Sequence, residues 1–250
     1  MRATSIPATI ISFRVASSFE AGPIVAMIFV RRVIGRKGTA LASAHVELIF
    51  VRHGLPEHIE TEDGSPADPP LAELGRRQAE AMAAWLTQEQ IDAIYVSPMN
   101  RARETAQPLE WALKMEAIVR DDLAEFDRHH TSYIPSDVLK QTDYEAWQRL
   151  MQGGYEGMGD STTFQDKVLA EVARIASDHK GQRVAVVCHG GVINAYLNDV
   201  LERGRDRFMF CNVDYTSISR VLVASSGQRS LMSINETAHI RSLPHPRDFK

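Results

Sequence analysis

The apolar, β-branched run Leu48-Ile49-Phe50-Val51 stops abruptly at Arg52-His53-Gly54. The run Val184-Ala185-Val186-Val187-Cys188 stops the same way at His189-Gly190-Gly191. Each run has the length and residue types of a buried strand. A histidine therefore stands at the C-terminal end of two strands, the end at which open α/β sheets bind ligands. One Arg-His-Gly triplet carries little weight. Two strand ends built alike constrain both the fold and the place of its chemistry.

The chain has 250 residues, 44% of them hydrophobic, enough to fill the core of one large domain or two small ones. A net charge of -4 and a pI near 6.1 argue against a polyanion-binding surface, so nucleic acid is not an expected partner. A local cationic pocket for a small anion does not need a basic protein. The two cysteines, Cys188 and Cys211, form no CxxC pair and join no histidine at zinc spacing. Neither a metal site nor a disulfide framework is expected, which suits a reducing cytoplasm. Cys188 reads as a small core residue.

Residues 1–44 differ in charge from the rest of the chain: Arg2, Arg14, Arg31, Arg32, Arg36 and Lys37 stand against one acid, Glu20. The apolar run Ile24–Val30 is too short to span a bilayer, and no membrane association is expected. This arm reads as a disordered segment or a leader and is set apart from the fold. The folded domain is expected over 45–240, with an irregular tail over 241–250.

Within the domain, Leu55 to Pro70 holds five proline and glycine breakers and reads as an irregular wall for a pocket at the first strand end. Leu71, Leu74, Gln78, Met82 and Trp85 recur at helical spacing, predicting a helix to Leu86. Ile91–Val96 reads as a strand. Behind it, Ser97 is a good N-cap and Pro98 a good first helical residue, which puts Arg101 in the first turn at the positive end of a helix. A short strand at Ala117–Arg120 precedes the acidic stretch Asp121-Asp122-Leu123-Ala124-Glu125-Phe126-Asp127, then His129 and His130 in a loop. Further helices are predicted around Tyr144–Met151, over Thr162–Asp178 and over Val192–Leu201. A glycine-rich stretch (Gly153, Gly154, Gly157, Gly159) lies between the first two and reads as part of a cap. Ser217–Val223 and Leu231–Ile234 read as closing strands around a Gly227 turn. Alternating strands and helices predict an α/β domain of three layers.

These blocks resemble the histidine phosphatase superfamily, with its phosphoglycerate mutase-like fold. The resemblance rests on Arg52-His53-Gly54 after a strand, Ser97-Pro98-x-x-Arg101-Ala102-x-x-Thr105-Ala106, Leu123-Ala124-Glu125, and His189-Gly190-Gly191. Leu71-x-x-Leu74-Gly75-x-x-Gln78-Ala79 is similar to that family's first helix.

The resemblance implies a three-layer αβα sandwich around a mostly parallel mixed sheet. It also implies a metal-independent, cofactor-free phosphatase acting on a small phosphorylated substrate. His53 would be the nucleophile, forming a phosphohistidine. Arg52, Arg101 and His189 would hold the phosphoryl oxygens, with Gly54 and Gly190 completing the substrate-binding set. Glu125 would protonate the leaving oxygen and then activate water.

The chemistry fits such a set. A histidine nucleophile splits one displacement into two easier steps, and paired arginines neutralise phosphoryl charge through planar forks. Departures from the family pattern fall at Leu55-Pro56-Glu57-His58 and at Phe126-Asp127-Arg128-His129-His130. They favour a phosphatase over a mutase and leave Asp127 as a rival acid. A mutase-type phosphotransferase and a non-catalytic phosphate-binding scaffold are the competing expectations. The sequence does not fix the oligomeric state, a homodimer being one option. A mildly acidic optimum is expected if Glu125 must start protonated.

Overall fold

The computed structural model describes residues 45–151 and 161–244. The N-terminal arm, the glycine-rich stretch at 152–160 and the end of the tail lie outside the described residues. In chain order the elements are β1 (His45–Arg52), β2 (Ile59–Glu60), α1 (Glu73–Leu86), β3 (Ala93–Val96), α2 (Asn100–Leu113), β4 (Ile118–Val119), β5 (Ser132–Tyr133), α3 (Ser136–Thr142) and α4 (Tyr144–Met151). They continue with α5 (Ser161–Asp178), β6 (Arg183–Cys188), α6 (Gly190–Val200), β7 (Ile218–Ala224) and β8 (Arg229–Glu236).

Six strands form one sheet in the order β4-β3-β6-β1-β7-β8. β4, β3, β6 and β1 run parallel, whereas β7 is antiparallel to both β1 and β8. The sheet is therefore mixed and mostly parallel, with helices on both faces. The uniform apolarity of Leu48–Val51 in β1 follows from this burial. Leu48 and Phe50 pack with Val168, Val172, Ile193 and Leu197 of α5 and α6. Ile49 and Val51 turn the other way, onto Met82, Leu86, Ala102 and Leu109 of α1 and α2. A strand covered on both sides has no solvent face to mark with polar residues.

The parallel pairing of β1 with β6 sets Arg52 beside Cys188, so both strands end at the same level. His53 N–H then donates to Cys188 O at 2.9 Å, and Ser97 N–H after β3 donates to Val187 O at 3.0 Å. Three neighbouring strand ends thereby deliver His53, Ser97 and His189 to one edge of the sheet.

Two expectations need correction. The 55–70 segment is not wholly irregular: its Ile59–Glu60 pairs with Ser132–Tyr133, and Ala67 N–H donates to His130 O at 2.7 Å. Nor does Ser97 cap α2. Met99 holds the N-cap position, and the carboxylate of Asp68 takes the Asn100 N–H at 2.9 and 3.1 Å. Ser97 is needed elsewhere, on His189.

Candidate active site

Arg52, His53, Arg101, Glu125 and His189 converge where β1, β3 and β6 end. All are buried except Arg52, which is partly exposed. The His53 and His189 rings lie 5.1 Å apart between centroids. His53 Nδ1 is 2.7 Å from Gly54 O, and because a carbonyl can only accept, this bond puts the proton on Nδ1. Nε2 is left with its lone pair. Burial, followed by the charges of Arg101 and Arg52, holds the His53 pKa well below the usual histidine range. The ring is therefore neutral near pH 7.

His189 shows the same depression, from burial and then from Arg101, His53 and Arg52. Its Nε2 lies 2.7 Å from Ser97 Oγ. That oxygen also accepts the Met99 N–H at 3.3 Å, and its own proton can point to His189 Nε2. In this arrangement Nδ1 carries the imidazole proton, buried and without a protein partner among the described residues.

Each arginine is fixed by an acceptor and an aromatic ring. Arg52 Nη1 donates to Val213 O at 2.5 Å, with its guanidinium carbon 4.0 Å from the Tyr215 ring centre. Arg101, fully buried, donates Nη2 to both oxygens of Asp127 at 2.8 and 3.1 Å and lies 4.5 Å from the Tyr133 ring centre. Its Nε and Nη1 have no partner among the described residues. Buried guanidinium donors without a protein acceptor suit an anion with several oxygens.

Glu125 is held by the start of α6, just past the end of β6. Its Oε2 accepts the Gly191 N–H at 2.7 Å, and Oε1 the Phe126 N–H at 3.2 Å. A Cβ at position 191 would stand 2.2 Å from Glu125 Oε1, so only glycine permits this approach. Burial, and then the charge of Asp127, push the Glu125 pKa up to about 7. A carboxyl poised there can give a proton in one step and take one in the next. Asp127, by contrast, is paired with Arg101.

The two glycines at the strand ends, Gly54 and Gly190, differ in their surroundings. Gly54 donates its N–H to Thr105 Oγ1 at 2.9 Å and its carbonyl accepts from His53, so it orients the His53 ring. A Cβ on Gly190 would make only an ordinary contact with Arg52 Nε at 3.7 Å. Thr105 also donates to Arg101 O at 2.6 Å, tying the two signature segments together. Its place in the Arg-Ala-x-x-Thr-Ala block is the sequence signal for that role. Tyr133 and Tyr215 complete the site, and no motif in the sequence marks either of them. His129 lines a cavity of about 360 Å³ beside Glu125, with Phe126, Phe164 and Lys167. Among the described residues no cluster of three or more His, Cys, Asp or Glu is arranged to hold a metal ion, and no helix is long and apolar enough to cross a membrane.

The family profile described as histidine phosphatase superfamily (branch 1) matches residues 48–237. The chain belongs to the histidine phosphatase superfamily. Among its superfamily relatives, a phosphoglycerate mutase-like protein 4 from Arabidopsis thaliana is 32% identical over 162 residues, covering 60% of this chain and 69% of the relative. A phosphoserine phosphatase 1 from Hydrogenobacter thermophilus is 27% identical over 201 residues, covering 78% and 94%. Several mycobacterial relatives are longer, and the chain spans 57% of their length. The fold is shared with a phosphoserine phosphatase from Entamoeba histolytica solved with phosphoserine, at a TM-score of 0.61 and 20% identity, covering 78% of this chain and 99% of that one. Superfamily membership and the phosphoserine phosphatase relatives support a phosphatase.

Proposed function

We propose that this chain is a metal-independent phosphatase that hydrolyses a small phosphate monoester through a phosphohistidine at His53. The observation that carries the reading is the orientation of His53: Nδ1 is pinned to Gly54 O, and Nε2 is free beside two guanidinium groups. In the first step Nε2 attacks phosphorus in line. Arg52, Arg101 and the His189 Nδ1–H take up charge on the equatorial oxygens. Glu125, protonated below about pH 7, gives its proton to the leaving oxygen. In the second step the carboxylate so formed removes a proton from water, which attacks the phosphohistidine. Inorganic phosphate leaves, and Glu125 and His53 regain their starting states. Two cations and a neutral imidazole supply the electrostatics, so the step needs no divalent ion.

Substrates of this class include phosphorylated amino acids and sugar acids, in keeping with the relatives' names. The test is phosphate release from an aryl phosphate and from phosphoserine, with and without chelator, in wild type and His53→Ala. Turnover that survives chelation and vanishes in the variant is expected. Equal activity in the two proteins would refute the nucleophile. Phosphate exchange stimulated by a bisphosphorylated sugar acid, with little hydrolysis, would instead identify a mutase.

A further inference from the structure

A groove of about 520 Å³ opens at the end of β1 remote from His53, between α5, the last turns of α6 and the β7–β8 hairpin. Its volume is in the range of small-molecule sites. Val46, Leu169, Ala176 and Val223 give it an apolar lining. Tyr196 of α6 projects into it. That side chain is only 4% exposed, its ring packs on Phe50 at 5.1 Å, and its hydroxyl makes no hydrogen bond among the described residues. The ring is buried and the hydroxyl opens onto the groove, where it is a donor that a bound ligand can engage.

The charges around it are unequal. Arg229 and Lys180 line the groove against one acid, Asp199, which is ion-paired with Arg229. Arg229 also donates Nη2 to Asp199 O at 3.2 Å, which fixes its position. Burial pushes the Tyr196 pKa up to about 12, so the hydroxyl stays a proton donor at neutral pH. An apolar lining, one donor hydroxyl and an excess of one positive charge describe a single ligand chemistry.

We propose that this groove is a second ligand site, separate from the phosphoryl site, for a small amphipathic anion. The apolar body would lie between α5 and β7, with the anionic head on Tyr196 Oη, Arg229 and Lys180. The claim does not depend on the catalytic reading, because its test measures binding.

The probe is octanoate, titrated calorimetrically into the full chain, with 1-octanol as the uncharged control. One saturable site per chain is expected, in the millimolar range or tighter. It should weaken about tenfold or more for octanol and in Tyr196→Phe, as loss of a hydrogen bond to a charged group implies. Ala173→Trp, on an exposed wall of the groove, should block binding and leave phosphatase turnover unchanged. Lys180→Gln, at an exposed position that does not bear on folding, should weaken it severalfold. His53→Ala should bind octanoate like wild type. Absence of saturable binding, indifference to both Ala173→Trp and Lys180→Gln, or loss of binding in His53→Ala would each overturn the proposal.

Discussion

Glu125 and Asp127 stand two residues apart, share a chemistry and do different work. Asp127 forks onto Arg101, while Glu125 sits on the Gly191 amide with its pKa raised to about 7. Their substitutions should therefore part company. Glu125→Gln is expected to lower kcat on an alkyl phosphate by ~10²–10⁴. The loss should be smaller on an aryl phosphate, whose leaving group needs less protonation. The pH profile of kcat/KM should fall through about 7 as Glu125 ionises, and on the acid side only below the ordinary histidine range, where His53 finally protonates. Asp127→Asn removes a negative neighbour that raises the Glu125 pKa, so its falling limb should move to lower pH. An unmoved limb in Asp127→Asn would mean that the two carboxyls are not coupled. Tyr215 is separable in the same way. Its ring lies 4.0 Å from Arg52, and cation–π contacts are worth ~0.5–2 kcal/mol. Tyr215→Leu should accordingly raise KM by about 2- to 30-fold, and Tyr215→Phe should leave it nearly unchanged.

Among the elements, the first turn of α1 and the backbone just after β1 touch without side chains between them. A Cβ on Gly75 would lie 2.0 Å from Leu55 O, and one on Gly54 would lie 2.6 Å from Gly75 O. Because the obstacle is backbone, nothing flexible can yield. Gly75→Ala is expected to lower the melting temperature and kcat together, since the same backbone carries His53. Melting and turnover assays on one preparation check this. The strands that end at His53 and His189 are legible in the sequence because burial on both faces makes such strands uniformly apolar. α1 and α5 are legible from spacing alone. The pairing of Ile59–Glu60 with Ser132–Tyr133 is not: two-residue strands joined across a long separation leave no periodicity to read. The same pairing is what brings Tyr133 onto Arg101. Ser97 misleads for a different reason. A Ser-Pro pair before a helix is a sound local signal, but a buried histidine in need of a partner outweighs it, and Asp68 from a distant loop takes the capping bond.

For the whole molecule, two features set stability. At the base of the sheet, away from His53, Arg220 bonds Glu47, Glu89 and Glu236 while its side chain is 11% exposed. Arg220→Ala would leave three carboxylates facing one another, and breaking a buried pair from one side costs about 3–5 kcal/mol. The second feature ties stability to pH through the site. His53 and His189 are held neutral in the fold, with pKa values below the 6.5 of an unfolded histidine. Above 6.5 neither state is protonated and their contribution is complete. As pH falls, the unfolded chain takes up protons first, and stability drops until the folded pKa values are passed. Glu125 works the other way: its folded pKa of about 7 exceeds the unfolded 4.5, so its contribution is present at low pH and is lost as pH rises through 7. Urea unfolding across roughly pH 5–8 should therefore show an acid-side loss that flattens in a His53→Ala, His189→Ala double variant. It should also show an alkaline-side loss that flattens in Glu125→Gln. Unchanged slopes in both variants would mean that the charges gathered for phosphoryl transfer are not what the fold has to accommodate.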